Sequence, residues 1–210
     1  MINRDEVGPE LARQVRAARS GPDVFDAVRT ESGSWPGPGA LQERRSHRVF
    51  VSRDISESIL VDIVDTGMAM DRVLWRNDVR PLAVTVLTSQ GIGHVLDHRL
   101  VYSGQKSPDF ADLVAQPELA ATPALLIVSA DLVAALREHG PRGYRELLVR
   151  AGQAVGACLL RATELGVVGC VFDGLLPPGR LGIDGIDGVR RISLVAASLG
   201  HPQSTEGPPS

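Results

Sequence analysis

The chain has 210 residues, 43% of them apolar and 22% charged, with a formal net charge of -3. That size and balance suit one globular domain and exclude a polyanion binder by overall charge, so any basic site is local. Two cysteines, Cys158 and Cys170, cannot make a disulfide framework or a thiolate metal cluster, and no apolar run is long enough to span a bilayer. A soluble cytoplasmic protein with no metal, nucleic-acid or membrane partner is expected.

Leu11, Val15 and Ala18 recur at helical spacing in the first 31 residues, and "ESGSWPGPG" then breaks regular structure. These shifts assign residues 1–40 to a helical arm and Gly/Pro linker, 41–202 to the domain, and 203–210 to a disordered polar tail. The domain opens on "ERRSHRVF", residues 43–50. In an extended segment Arg44, Ser46 and Arg48 stand two apart on one side, with Arg45 on the other. Arginine meets phosphate bidentately, so the run suits a phosphate-bearing ligand; a solvated loop bridged to carboxylates is the other reading.

Asp54 with Glu57 fits a helix N-cap box, and Ile55, Ile59, Ile63 and Val64 form an apolar stripe. "PLAVTVLTS" alternates as a strand, and "HVLDHRLVYSG" reads as a second strand or hairpin arm. "SPDFADLVAQ" is a short capped helix, and "PALLIVSA" a central strand buried on both faces. In "GYRELLVRAGQAVGACLLRATELG", Tyr144, Leu147, Leu148, Ala151, Val155, Leu159, Ala162 and Leu165 share one helical stripe. Gly152 and Gly156 on that helix allow close approach of another helix, within the chain or across a dimer twofold. "GVVGCVFDGLLPPG" is a Gly-rich loop, and "VRRISLVAASLG" a last buried strand. Elements in this order predict an α+β fold, a mostly antiparallel sheet wrapped by helices.

"RRSHRVF" before a helix, and "LLRATELGVVGC" later, resemble the two signatures of the nitroreductase-like flavoproteins. The order of "VRPLAVTVL", "VLDHRLVYSG", "TPALLIVSA", the long helix and "SLVAASLGHP" resembles the SagB-type branch, which oxidises azolines during ribosomal-peptide maturation. The resemblance covers roughly residues 43–202 and implies FMN. It places Arg44, Ser46 and Arg48 on the phosphate, ribityl chain and ring, with Arg45 in the same segment. It gives Asp173-Gly174 a backbone N–H at the flavin.

The sequence departs from that branch at three places. "VLWRNDVRP" replaces a loop of small residues, leaving Asn77 and Arg80 as polar contacts. Glu138 and His139 stand where the branch carries a Lys-Tyr pair, which makes His139 the candidate base and Tyr144 the other titratable candidate. Nothing basic but His201 follows Arg191. The resemblance implies a homodimer with FMN at the subunit interface, a modified peptide substrate, and cyclodehydratase partner proteins. An NAD(P)H-dependent nitroreductase or quinone reductase is one alternative, and a non-catalytic scaffold subunit is another.

Overall fold

The computed structural model describes residues 36–75, 82–173, 175, 183 and 185–203. The proposed arm, Asn77, Arg80, Gly174 and nearly all of the tail lie outside them. Four helices are described: α1 (Pro38–Glu43), α2 (Glu57–Leu74), α3 (Leu132–His139) and α4 (Pro141–Glu164). The strands are β1 (Phe50–Val51), β2 (Ala83–Thr88), β3 (Gly91–Leu96), β4 (Arg99–Tyr102), β5 (Ala124–Asp131), β6 (Val168–Phe172) and β7 (Arg191–Pro202). Among the described residues they form one sheet in the order β1-β7-β5-β2-β3-β4, with β6 also paired to β7. Every strand pair is antiparallel. The fold is α+β, as its element order predicts.

The centre of the sheet is the continuous apolar run of β5. Its even-numbered residues, Ala124, Leu126, Val128 and Ala130, enter one core with α2 and α4. Leu125 and Ile127 enter a second core on the other face, with Phe110, Leu113, Phe172, Ile183 and Ile186. Period-two alternation in a strand covered on both sides produces this division.

"HVLDHRLVYSG" supplies two arms rather than one. Asp97 and His98 turn between β3 and β4 at φ 47° and 59°. Positive φ at both central residues matches the twist that a two-residue hairpin needs. "SPDFADLVAQ" forms only a single 3-10 turn, Phe110–Asp112, capped by the Asp109 carboxylate on the Ala111 N–H.

Three expectations are corrected. The α2 cap is Ser56, without a side-chain cap bond, while Asp54 accepts from the Ser89 hydroxyl at 3.4 Å. "GVVGCVFDG" is not all loop, because Val168–Phe172 pairs along β7. Within the chain, Gly152 and Gly156 meet no other helix among the described residues: a Cβ on either would have nothing within 4 Å. The glycine that brings α2 onto α4 is Gly67, where a Cβ would strike Cys158 Sγ and lie 2.7 Å from the Ala154 carbonyl. The α4 stripe is otherwise as expected, with Leu147, Ala151, Val155, Leu159 and Ala162 buried, but Tyr144 and Leu148 remain 42% and 40% exposed.

Candidate functional site

The arginine segment is held at one end of α4. Arg161 donates to both oxygens of Asp62 on α2, at 3.1 and 2.6 Å, and to Glu164 at 2.9 Å. Glu164 in turn accepts the backbone N–H of Gly37, immediately before α1. Pro36 and Ala40 are buried, so this stretch, assigned to the linker by composition, is packed. α1 then delivers Arg44 as its C-cap.

From there the chain runs beside β6. Ser46 bridges Gly169 in parallel, and the His47 N–H donates to the Gly169 carbonyl at 3.1 Å. Position 169 requires glycine, since a Cβ would run into the Ser198 carbonyl. The arginines have different fates. Arg45 is spent on the end of α1, donating to the Gln42 and Arg44 carbonyls at 2.6 and 3.0 Å rather than to a carboxylate. Arg48 pairs with Glu118 at 3.2 Å, both side chains largely solvated. Arg44 is half-buried, and among the described residues its guanidinium makes no ion pair or side-chain hydrogen bond.

β6 leads from Gly169 to Phe172 and the exposed Asp173. Beyond it Leu175 bridges Val114. Gln116 stands between two contacts of this region. Val114, two residues before it, meets Leu175, and Glu118, two residues after it, meets Arg48. Gln116 Oε1 is buried with no hydrogen-bond donor among the described residues. An orphaned buried carbonyl costs about 1–3 kcal/mol, which a ligand N–H or O–H would recover. Sequence reading missed Gln116 and Glu118, because their place depends on two long-range contacts that no local spacing signals.

His139 and Tyr144 lie at the other end of α4. The helix has 24 residues, about 36 Å at 1.5 Å per residue. His139 Nε2 is 3.6 Å from Glu138 and 4.0 Å from Glu146, and Glu146 also takes Arg142 at 2.9 Å. α3 is capped by Asp131, whose carboxylate accepts the Ala134 N–H at 2.8 Å. That bond, with Arg190, holds the Asp131 carboxyl below its usual range. One chain therefore sets the Arg44–Arg48 segment beside the start of β6 through the Ser46–Gly169 bridge, leaves Asp173 four residues beyond Gly169 past the end of that strand, and keeps His139 with Tyr144 apart from Arg44. β6 nevertheless points from the first cluster toward the second. Phe172 is level with Ile127 through Ala196, four residues short of Asp131.

A profile of the nitroreductase family matches residues 92–200, 109 of the 210. The chain belongs to the nitroreductase family. No curated protein matches it. Solved structures share its fold. A nitroreductase-class protein from Anabaena variabilis ATCC 29413 superposes with a TM-score of 0.64 at 18% identity, over 78% of this chain. This chain spans only 37% of that protein. A nitroreductase-class protein from Desulfovibrio desulfuricans, solved in complex with FMN, gives 0.54 at 18% identity, over 83% of this chain and 91% of its own. A Staphylococcus epidermidis protein described as an NAD(P)H:FMN oxidoreductase gives 0.55 at 13%, over 82% and 89%.

Among the described residues, no helix is long and apolar enough to cross a membrane. Nor does any cluster of three His, Cys, Asp or Glu among them suit a metal ion.

Proposed function

We propose that this family member is an FMN-dependent oxidoreductase that takes a peptide thiazoline or oxazoline to the azole. The observation that carries the cofactor assignment is Arg44, a half-buried cation with no side-chain partner among the described residues, two residues from the Ser46–Gly169 bridge. A cation so placed meets the fixed charge of a phosphate monoester. The orphaned Gln116 oxygen fits a ligand bearing N–H or O–H donors. The FMN complex of the Desulfovibrio relative supports the same cofactor.

In this reading Arg44 and Ser46 bind the phosphate and ribityl end. Arg48 exchanges Glu118 for the cofactor, and Asp173 is assigned to the ring end. Bound FMN supplies the two-electron acceptor; the protein supplies binding, orientation and a proton acceptor. His139 is assigned as that acceptor, with Tyr144 beside it. Their distance from Arg44 within one chain favours a homodimer in which the two ends of α4 meet across the interface. Among the described residues, Gly152, Gly156 and the exposed Val149 leave an uncovered α4 face for such a contact. The azoline substrate and cyclodehydratase partners rest on the motif order alone.

A second reading has one specific support. The Arg48–Glu118 pair already neutralises one arginine, as a non-catalytic scaffold would permit. Visible absorption of the purified protein separates the two. A yellow protein that releases FMN on denaturation and oxidises an azoline peptide supports the proposal. A colourless one that takes up no added FMN supports the scaffold. A flavoprotein that reduces nitroaromatics with NAD(P)H and leaves azolines untouched is a nitroreductase.

A further inference from the structure

We propose that the chain carries a second ligand site, for the oxyanion of a small molecule, between Arg53 and Lys106. A cavity of about 610 Å³ lies where three connections converge, after β1, between β2 and β3, and at both ends of the β4–β5 connection. None of Arg44, Ser46, Arg48 or Asp173 lines it. A second cavity of about 280 Å³ adjoins it, shares Arg53 and Thr88, and adds Tyr102 and His201. The size is that of a small-molecule cleft.

The charges are arranged unequally. Of the two lining carboxylates, Asp109 caps the Phe110 turn and Asp54 accepts from Ser89. Arg53 and Lys106 have no carboxylate or other side-chain partner among the described residues. The hydroxyl of Ser107, beside Lys106 in the same cavity, is buried with no hydrogen-bond partner among the described residues. Two unpaired cations and an orphaned hydroxyl complement a phosphate or carboxylate oxygen. The two carboxylates disfavour a polyanion and suit a ligand with one oxyanion and neighbouring hydroxyl or amine donors. The inference does not depend on the flavin reading.

Lys106 is the only lysine in the chain, so amine acetylation followed by peptide mass spectrometry reports on the cavity directly. The full chain is acetylated in sodium chloride, and at matched ionic strength in glycerol 3-phosphate or in glycerate. At a ligand concentration ten times Kd, Lys106 should acetylate about tenfold more slowly, while the chain's α-amino group reacts as before. Arg53→Gln and Ser107→Ala, both outside the core, should each weaken the protection. Protection by the phosphate ester alone names one ligand class, and by glycerate alone the other. Equal Lys106 reactivity in all three solutions overturns the proposal. Protection by FMN where neither small anion protects assigns the cavity to the cofactor and overturns it as well.

Discussion

Arg150 and Asp71 are joined by two hydrogen bonds, 2.8 and 2.7 Å long, in the layer between α4 and α2. Their side chains are 2% and 4% exposed. The same guanidinium lies 5.8 Å from the centre of the Trp75 ring, and Trp75 Nε1 donates to Gln153 at 3.0 Å. The last turn of α2 is thereby fixed to the middle of α4.

Removing one partner of a buried pair strands the other charge, at a cost of about 3–5 kcal/mol. Arg150→Ala should lower the urea midpoint accordingly. Arg150→Met combined with Asp71→Leu should recover most of that loss, since the pair's own net worth is small. A single variant that costs under about 1 kcal/mol would mean that Asp71 finds water or another donor.

Gly67 and Gly152 should respond in opposite senses. Gly67→Ala forces α2 away from Cys158 and the Ala154 carbonyl, and overpacking of this kind costs about 1–3 kcal/mol. In the dissociated monomer Gly152→Ala fills open space on a helix and should be neutral or stabilise by up to about 1 kcal/mol. Thermal unfolding of the two variants checks the order. Light scattering on Gly152→Ala then shows whether that face is covered in solution, because an added methyl there would loosen a close dimer contact.

The fold was legible where the physics is local. The apolar runs of β5 and β7, the α4 stripe and the β-branched β2 each specify their own element. β6 was hidden because "GVVGCVF" carries glycine at 169, demanded by the Ser198 carbonyl rather than by a turn. Spacing points to Gly152 and Gly156 as helix-facing rather than Gly67, because it shows which residues share a face, not which neighbour they meet. The arginine segment could be located from sequence. The division of labour among Arg44, Arg45 and Arg48 could not, since it rests on the end of α1 and on Glu118, seventy residues away from Arg48.

Cys158 is buried against Gly67, and burial pushes its thiol up to about 12. The folded state thus favours the neutral thiol, and the stability this represents is lost only as pH rises above the unfolded value. In a Cys170→Ala background Cys158 should resist a thiol-disulfide reagent at pH 8 and react fully in denaturant. Fast labelling of the native protein would contradict the packing described between α2 and α4.

His139→Ala should lower azoline turnover by roughly 10²–10⁴-fold, the usual size of a general-base contribution, and leave FMN bound. Stopped-flow measurement of flavin reduction by substrate reads the step directly. Unchanged reduction would move the assignment to Tyr144, tested by Tyr144→Phe.

The central claim is that Arg44 holds the phosphate of FMN, and calorimetric titration of FMN into the Arg44→Ala and Arg45→Ala proteins tests it most directly. Losing a charge-assisted contact costs about 1.5–3 kcal/mol, so Arg44→Ala should bind roughly 10- to 100-fold more weakly than the parent. Arg45→Ala, which loses only bonds to the Gln42 and Arg44 carbonyls, should bind nearly as well as the parent. Undiminished affinity in Arg44→Ala, or no FMN binding by the parent, would contradict the account.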